Sequence, residues 1–333
     1  MRVIIDTDPG IDDSVALALA AQSPELEIAA VTTTYGNTTV DRATRNAREL
    51  FARLGVGGRF PVHPGADRPL LRPLQVAGET HGEEGMGYAE LAQALEQENE
   101  PLEAPMAMLR FAAASNEQIT IICLGPLTNL ALALAIDRPL LQQQVSEIVL
   151  MGGEPDGHGN VTPVAEFNFW SDPEAAQMVF QGGIPIRMVG LNVTRRMVIT
   201  RAAVDLLAGH DMPPLRWWGD MLRFYEEFHR TQTGLEGCII NDPLAIALAM
   251  LPEFGVARPM HVEIARHDDG TRGQSLCDRH ALTGQPANAL VYTECRWLDV
   301  LELVNQRVFH HALPLPELSR GVAMSLGPDI HQT

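Results

Sequence analysis

Lysine is absent from this chain: all 24 basic residues are arginine. Chemistry that needs an amine, such as a Schiff base or the lysine of a phosphate-binding loop, is therefore excluded. Bases are also outnumbered. Forty-two acids leave a net charge of −18 over 333 residues, which argues against a nucleic-acid backbone or an anionic membrane as partner. Cysteine is scarce and scattered. Cys123, Cys238, Cys277 and Cys295 form no C-x-x-C pair, so neither a zinc ribbon nor a disulfide framework is implied, and a cytoplasmic location is expected. Long apolar runs are missing too; Leu130–Ile136 is far too short to span a bilayer. The N-terminal run meets Asp6 at once and has no h-region, so no signal peptide is expected. Apolar mass is plentiful: 46% hydrophobic residues supply a substantial core and exclude wholesale disorder.

Short apolar runs alternate with longer helical ones. Val3–Ile5, Ile28–Thr34, Gln118–Leu124, Val145–Met151, Ile184–Val189 and Ala287–Thr293 read as strands. Helical patterns cover Asp12 to about Ala21, Thr38 to about Leu54, Leu127–Ile136, Ala175–Phe180, Ala202–Leu207, Leu244–Leu251 and Trp297–Val308. Such alternation predicts an α/β fold with a mainly parallel central sheet flanked by helices. Ligands in open sheets of this kind bind beyond the carboxyl ends of the strands. One domain over 1–320 is expected, with residues 210–240 as a helical insertion of candidate mobility and 321–333 as a tail.

The strongest chemical feature is Asp6-Thr7-Asp8-Pro9-Gly10-Ile11-Asp12-Asp13, four carboxylates at a strand-to-helix junction. Helix capping explains one or two of them. Four together raise one another's pKa unless a cation neutralises them, and oxygen ligands suit a hard divalent ion. Asn241-Asp242-Pro243 repeats the theme downstream, and it also reads as an ordinary Asp-Pro helix start. The stretch from Asn160 to Asn168 offers amides and Glu166 to a hydroxyl-rich ligand, or is a solvated loop.

With Gly36-Asn37, His81-Gly82-Glu83-Glu84-Gly85-Met86-Gly87, Gly125-Pro126-Leu127-Thr128-Asn129, Met151-Gly152-Gly153, Glu166-Phe167-Asn168 and Asp242-Pro243, the N-terminal run resembles the inosine–uridine preferring nucleoside hydrolases. The motifs stand in family order over about residues 1–310. The resemblance implies hydrolysis of a ribonucleoside N-glycosidic bond through an oxocarbenium-like transition state. It implies a Ca²⁺ cofactor held by Asp8, Asp13, Asp242 and the Leu124 carbonyl, with Asp6 orienting the ligands. Asp8 would be general base toward a water held at the metal, with Asn37 positioning that water or the carboxylates. Asp12 and Asn168 would bind ribose hydroxyls, Asn160 and Glu166 the 5′-hydroxyl side. Met151 and Phe167 would wall the nucleoside, and 2′-deoxynucleosides would be poor substrates. Homodimers or homotetramers are usual in relatives.

Leaving-group activation departs from the family pattern. Many members carry histidine before the downstream Asp-Pro; here it is Asn241, which cannot act as a general acid. His81, Tyr225 and His229 are the alternatives, and the preferred base stays open. Trp217 and Trp218 either stack on a base or pack beneath the insertion. Two other functions compete. A haloacid-dehalogenase-type phosphatase also starts with Asp-x-Asp but needs a cation for its phosphoryl group, usually lysine, and leaves the later motifs unexplained. A catalytically silent ribosyl-binding protein would bind without releasing base.

Overall fold

The computed structural model describes residues 1–92, 103–267, 270–314 and 317–318; the expected tail at 321–333 lies outside them. Eleven strands occur among the described residues: β1 (Arg2–Thr7), β2 (Glu27–Thr33), β3 (Val62–Pro64), β4 (Ile119–Cys123), β5 (Val145–Met151), β6 (Ile186–Val189), β7 (Val198–Thr200), β8 (Gly237–Ile239), β9 (Gly255–Ile264), β10 (Ser275–Asp278) and β11 (Ala289–Cys295). Nine form one sheet in the order β10-β9-β11-β6-β5-β4-β1-β2-β3. The pairings from β11 to β3 are all parallel. β9 and β10 add an antiparallel flank.

The central strands are apolar on both faces because both faces are covered. Val3 and Ile5 of β1 enter one core while Ile4 enters the other. β5 divides likewise, Val149 and Met151 against Ile148 and Leu150. The helix Ile11–Ala21 is buried on nearly every face and packs against the helix Asp242–Met250. The expected helix from Leu127 begins at Thr128 and runs to Gln144 with a break at Asp137, where Pro139 disallows continuous helical geometry.

From β1 the chain steps to β2 and β3 on one side, then returns to lay β4 on the other. The switch point between β1 and β4 opens a crevice at their carboxyl ends, where ligands bind in open α/β sheets. β3, the β7–β8 ribbon and the β9–β10 flank were not legible as strands. Three of them are only three residues long, and β9 carries arginine and proline on an exposed face. The segment 210–240 contains the helix Pro213–Thr233, whose Trp217 and Trp218 are buried, with Trp217 Nε1 donating to the Glu90 carbonyl at 3.0 Å. Both tryptophans thus pack beneath the helix, and neither lines the crevice. Among the described residues no helix is long and apolar enough to cross a membrane.

Candidate active site

The crevice holds a cavity of about 340 Å³. Its wall includes Asp12, Asn37, His81, Leu124, Met151, Asn160, Glu166, Phe167, Asn168, Tyr225, His229, Asn241 and Asp242. Asp8 and Asp13 are buried beneath it. Apart from the two tryptophans, the residues proposed from the sequence to bind metal or substrate therefore lie in or under one cavity. In the Asn160 stretch only Asn160 and Pro163 are exposed; Ala165, Glu166 and Asn168 are buried, which corrects the alternative that the whole stretch is a solvated loop.

The turn after β1 is built to aim carboxylates. Asp13 caps its own helix by accepting from the Gly10 amide at 3.1 Å, and it accepts from Thr7 Oγ1 at 2.5 Å and Asn37 Nδ2 at 2.6 Å. The capping and site roles thus fall on one residue. Asp8 Oδ2 accepts from the Asn37 amide at 2.7 Å, while its buried Oδ1 has no hydrogen-bond partner. Glycine is required on both sides of Asp8: a Cβ on Gly36 would lie 2.0 Å from Oδ2, and one on Gly125 would lie 2.3 Å from Oδ1. Asp12 Oδ2 accepts from the Asn241 amide at 3.1 Å, Asn241 Nδ2 at 3.2 Å and the Tyr225 hydroxyl at 3.4 Å. Asn241 Oδ1 in turn accepts from Thr194 Oγ1 at 2.9 Å. Asn241 therefore holds Asp12 with one side-chain N–H and is itself held by Thr194, which leaves one N–H and one carbonyl lone pair of its amide.

Carboxylate oxygens of Asp12, Asp13 and Asp242 lie within 4.8 Å of one another, all buried. Burial raises the pKa of each, as it does for Asp8, and repulsion between neighbouring carboxylates adds to the shift at Asp8, Asp13 and Asp242. An oxygen-only donor set with an unpartnered Asp8 Oδ1 beside it fits a hard divalent cation, which would relieve that repulsion. The grouping differs from the expected ligands in one respect: Asp12 rather than Asp8 stands with Asp13 and Asp242. The Leu124 carbonyl accepts from Asn168 Nδ2 at 2.8 Å, so Asn168 bridges this carbonyl and that of Met151. Asp6 accepts from Thr32 Oγ1 and Asn129 Nδ2, and burial pushes it up to about 7.

Glu166 is more constrained than expected. It caps the short helix Phe167–Ser171 and also accepts from the Gly153 amide at 2.9 Å. Burial raises it to about 7. Three backbone donors leave about one lone pair for a ligand. Asn160 Oδ1 accepts from the Phe167 amide at 3.0 Å. Burial lowers both His81 and His229 to about 4, and Tyr225 is raised well above its usual value. None of the three is poised to give up a proton near neutral pH.

The wall residues that escaped the sequence reading include Trp170, Arg195 and Phe228. Arg195 pairs with buried Glu154 at 3.0 Å and donates to the His158 and Gly159 carbonyls, fixing the loop that carries Asn160. It follows β6 closely, so the strand-end rule was a signal that could have found it.

Residues 3–302 match the family model described as inosine-uridine preferring nucleoside hydrolase. The chain is similar to the pyrimidine-specific ribonucleoside hydrolase RihA of Photobacterium profundum, with 38% identity over 310 residues, 93% of this chain and 99% of the relative. RihA of an Enterobacter species is 36% identical over 315 residues, 92% and 97% of the two chains. Among solved structures, a purine-preferring ribonucleoside hydrolase from Gardnerella vaginalis superposes with a TM-score of 0.85 at 28% identity, covering 94% of this chain and 99% of the other. The plant nucleoside hydrolase PpNRh1 gives 0.84 at 31%, covering 92% and 98%. The motifs, the switch-point cavity and these likenesses agree, and the chain belongs to the inosine-uridine preferring nucleoside hydrolase family.

Proposed function

We propose that this ribonucleoside hydrolase cleaves the N-glycosidic bond in a Ca²⁺-dependent reaction, giving ribose and free base. The observation that carries the reading is the buried carboxylate group Asp12, Asp13 and Asp242 on the wall of the switch-point cavity, with Asp8 beneath it. When bound, Ca²⁺ would supply the charge that makes these carboxylates compatible, grip the ribose diol and acidify the attacking water. Asp13, Asp242, the Leu124 carbonyl and either Asp8 or Asp12 are the residues that would hold it. Asp8 Oδ1, lacking a partner, accepts the proton of the water that attacks C1′. Asn37 fixes both Asp8 and Asp13 in place. Asn168 has both amide protons on the Leu124 and Met151 carbonyls, so its Oδ1 is left to accept from a ribose hydroxyl. Positive charge developing on the ribosyl ring meets a strongly negative floor.

Asn241 spends one side-chain N–H on Asp12 and one carbonyl lone pair on Thr194; the other N–H and lone pair are left to hydrogen-bond the base, which an amide cannot protonate. Pyrimidine preference is supported by the names of the curated relatives. Homodimers or homotetramers and a cytoplasmic location complete the reading; the four free cysteines agree with a reducing compartment. The test is base release from uridine, cytidine, inosine, adenosine and guanosine, with and without chelator. Turnover lost on chelation and restored by Ca²⁺ supports the proposal. Equal turnover of deoxyinosine and inosine would contradict diol chelation, and binding without turnover would favour a ribosyl sensor.

A further inference from the structure

Arg195 belongs to the cavity wall, yet its guanidinium is committed to the protein. Nη1 pairs with Glu154 Oε2 at 3.0 Å, and Nη2 donates to the His158 carbonyl and, at 3.2 Å, to the Gly159 carbonyl. The other oxygen of Glu154 accepts from the Asp156 amide at 2.6 Å. The antiparallel flank ties the same loop from its far side. Ser275 Oγ accepts from the Glu154 amide at 2.8 Å, and Arg279 pairs with Asp156. The two ion pairs differ in weight. Arg279 and Asp156 are 40% and 44% exposed, where a pair contributes little. The Glu154 side chain is wholly buried, and a buried carboxylate without its cation is strongly destabilised. Arg195 is therefore the main strut of residues 154–159, and Asn160 follows directly.

Asn160 leaves the loop with its amide set. Its backbone N–H donates to the Ala165 carbonyl at 3.1 Å, and Oδ1 accepts from the Phe167 amide at 3.0 Å. Among the described residues no hydrogen bond within the chain uses Asn160 Nδ2. Glu166 accepts from the next two amides, those of Asn168 and Phe169, and keeps about one lone pair. A donor and an acceptor anchored on consecutive amides suit one hydroxyl, which accepts and donates at once. A nucleoside's ribose carries the 2′,3′-diol and one further hydroxyl, at C5′. Resting on the nucleoside hydrolase reading, which gives the diol to the metal, we propose that Arg195 is the positioning residue for the 5′-hydroxyl: it holds the His158–Gly159 turn, and through it Asn160, without itself touching the substrate. Lysine at this position would keep the charge but lose the planar fork that spans a carboxylate and two carbonyls.

The test compares kcat/KM for uridine against 5′-deoxyuridine, and inosine against 5′-deoxyinosine, in Ca²⁺-containing buffer. The proteins are the parent, Arg195→Lys and the paired variant Arg195→Met/Glu154→Gln, which removes the buried charge together with its partner. In the parent the 5′-hydroxyl raises kcat/KM about tenfold or more, as a remote group does when its contact strengthens toward the transition state. In the paired variant the ratio falls to within about threefold of one on both bases, because turnover of the hydroxyl-bearing substrates drops while the deoxy substrates change little. Arg195→Lys loses part of the ratio. In an Asn160→Ala background the paired change has no further effect, the mark of a residue acting through Asn160. A parent ratio near one, a ratio kept in both variants, or equal loss on hydroxyl and deoxy substrates overturns the inference. So does a full loss from the paired change when Asn160 is already alanine. If the paired variant does not fold, Arg195→Lys decides by the same ratio. If no nucleoside is cleaved, the hydrolase reading fails on its own account. Calorimetric titration then decides separately: tighter binding of uridine than of 5′-deoxyuridine in the parent, lost in the variants, supports the role of Arg195, and any other pattern overturns it.

Discussion

At the scale of single residues, Asp8 is shaped by what surrounds it rather than by its own type. Its Oδ2 is held by the Asn37 amide while Oδ1 stays unpartnered between two glycines. Asp8→Asn removes the proton acceptor, and kcat for base release is expected to drop about 100-fold or more. Gly125→Ala is a sharper probe, because it leaves every functional group in place. The added Cβ pushes against Oδ1, so steady-state kinetics should show a loss in kcat approaching that of Asp8→Asn, with circular dichroism unchanged. Glu166 sets a pH dependence of stability. Its folded pKa of about 7 lies above the usual 4.5, so the native state binds the extra proton between those values. The stabilisation is complete below about 4.5 and is lost as pH rises through 7. His81 and His229, lowered to about 4, act in the opposite sense below about 6.5. Glu166→Gln therefore removes a downward trend: Tm plotted against pH from about 4.5 to 7 should rise relative to the parent profile as pH increases. A parallel offset would mean that Glu166 titrates normally.

At the scale of elements, the amphipathic helix Val40–Arg53 does more than cover the sheet. Its buried Asn46 donates through Nδ2 to the Pro9 carbonyl at 3.0 Å and to the Glu84 carbonyl at 2.8 Å. One amide thereby sets the spacing between the carboxylate turn and the loop that carries His81. Arg42 and Arg45 add ion pairs to Glu83 and Glu84 at the exposed edge, where such pairs contribute little. Asn46→Ala takes its donor from the Pro9 carbonyl and leaves the Glu84 carbonyl only the longer bond from Arg45, and should cost about 1–3 kcal/mol in denaturant unfolding. Turnover should fall about tenfold as the two loops drift apart. Unchanged kinetics would show that the loops are held by other contacts.

At the scale of the whole molecule, the fold concentrates negative charge where the sheet switches direction. The carboxylates cluster because β1, β4 and the helix from Asp242 meet there, and a bound cation would relieve the repulsion among them. Adding Ca²⁺ to chelator-treated protein should raise Tm by about 5 °C, the size expected for a ligand well above its dissociation constant. Mg²⁺, smaller and stricter in geometry, should raise it less. No rise with either ion would remove the metal from the account.

The sequence by itself determined the alternating architecture, since apolar periodicity and strand length carry that information locally. It also pointed to most of the residues that meet at the cavity, because the motifs are short and each is contiguous. It did not determine how they divide the work. Asn241 and Asp12 are 229 positions apart, and only the packing of the helix Asp242–Met250 on Ile11–Ala21 brings them into contact and turns a departure from the family pattern into a support for Asp12. The β9–β10 flank, too, was decided by pairing partners rather than by its own mixed composition. The tautomers of His81 and His229 belong to the same class: a histidine's identity leaves its proton undecided, and a backbone group from another turn or a neighbouring element settles it. Residue type fixes what a side chain can do, while which lone pair or proton remains for a ligand depends on what the fold has already taken.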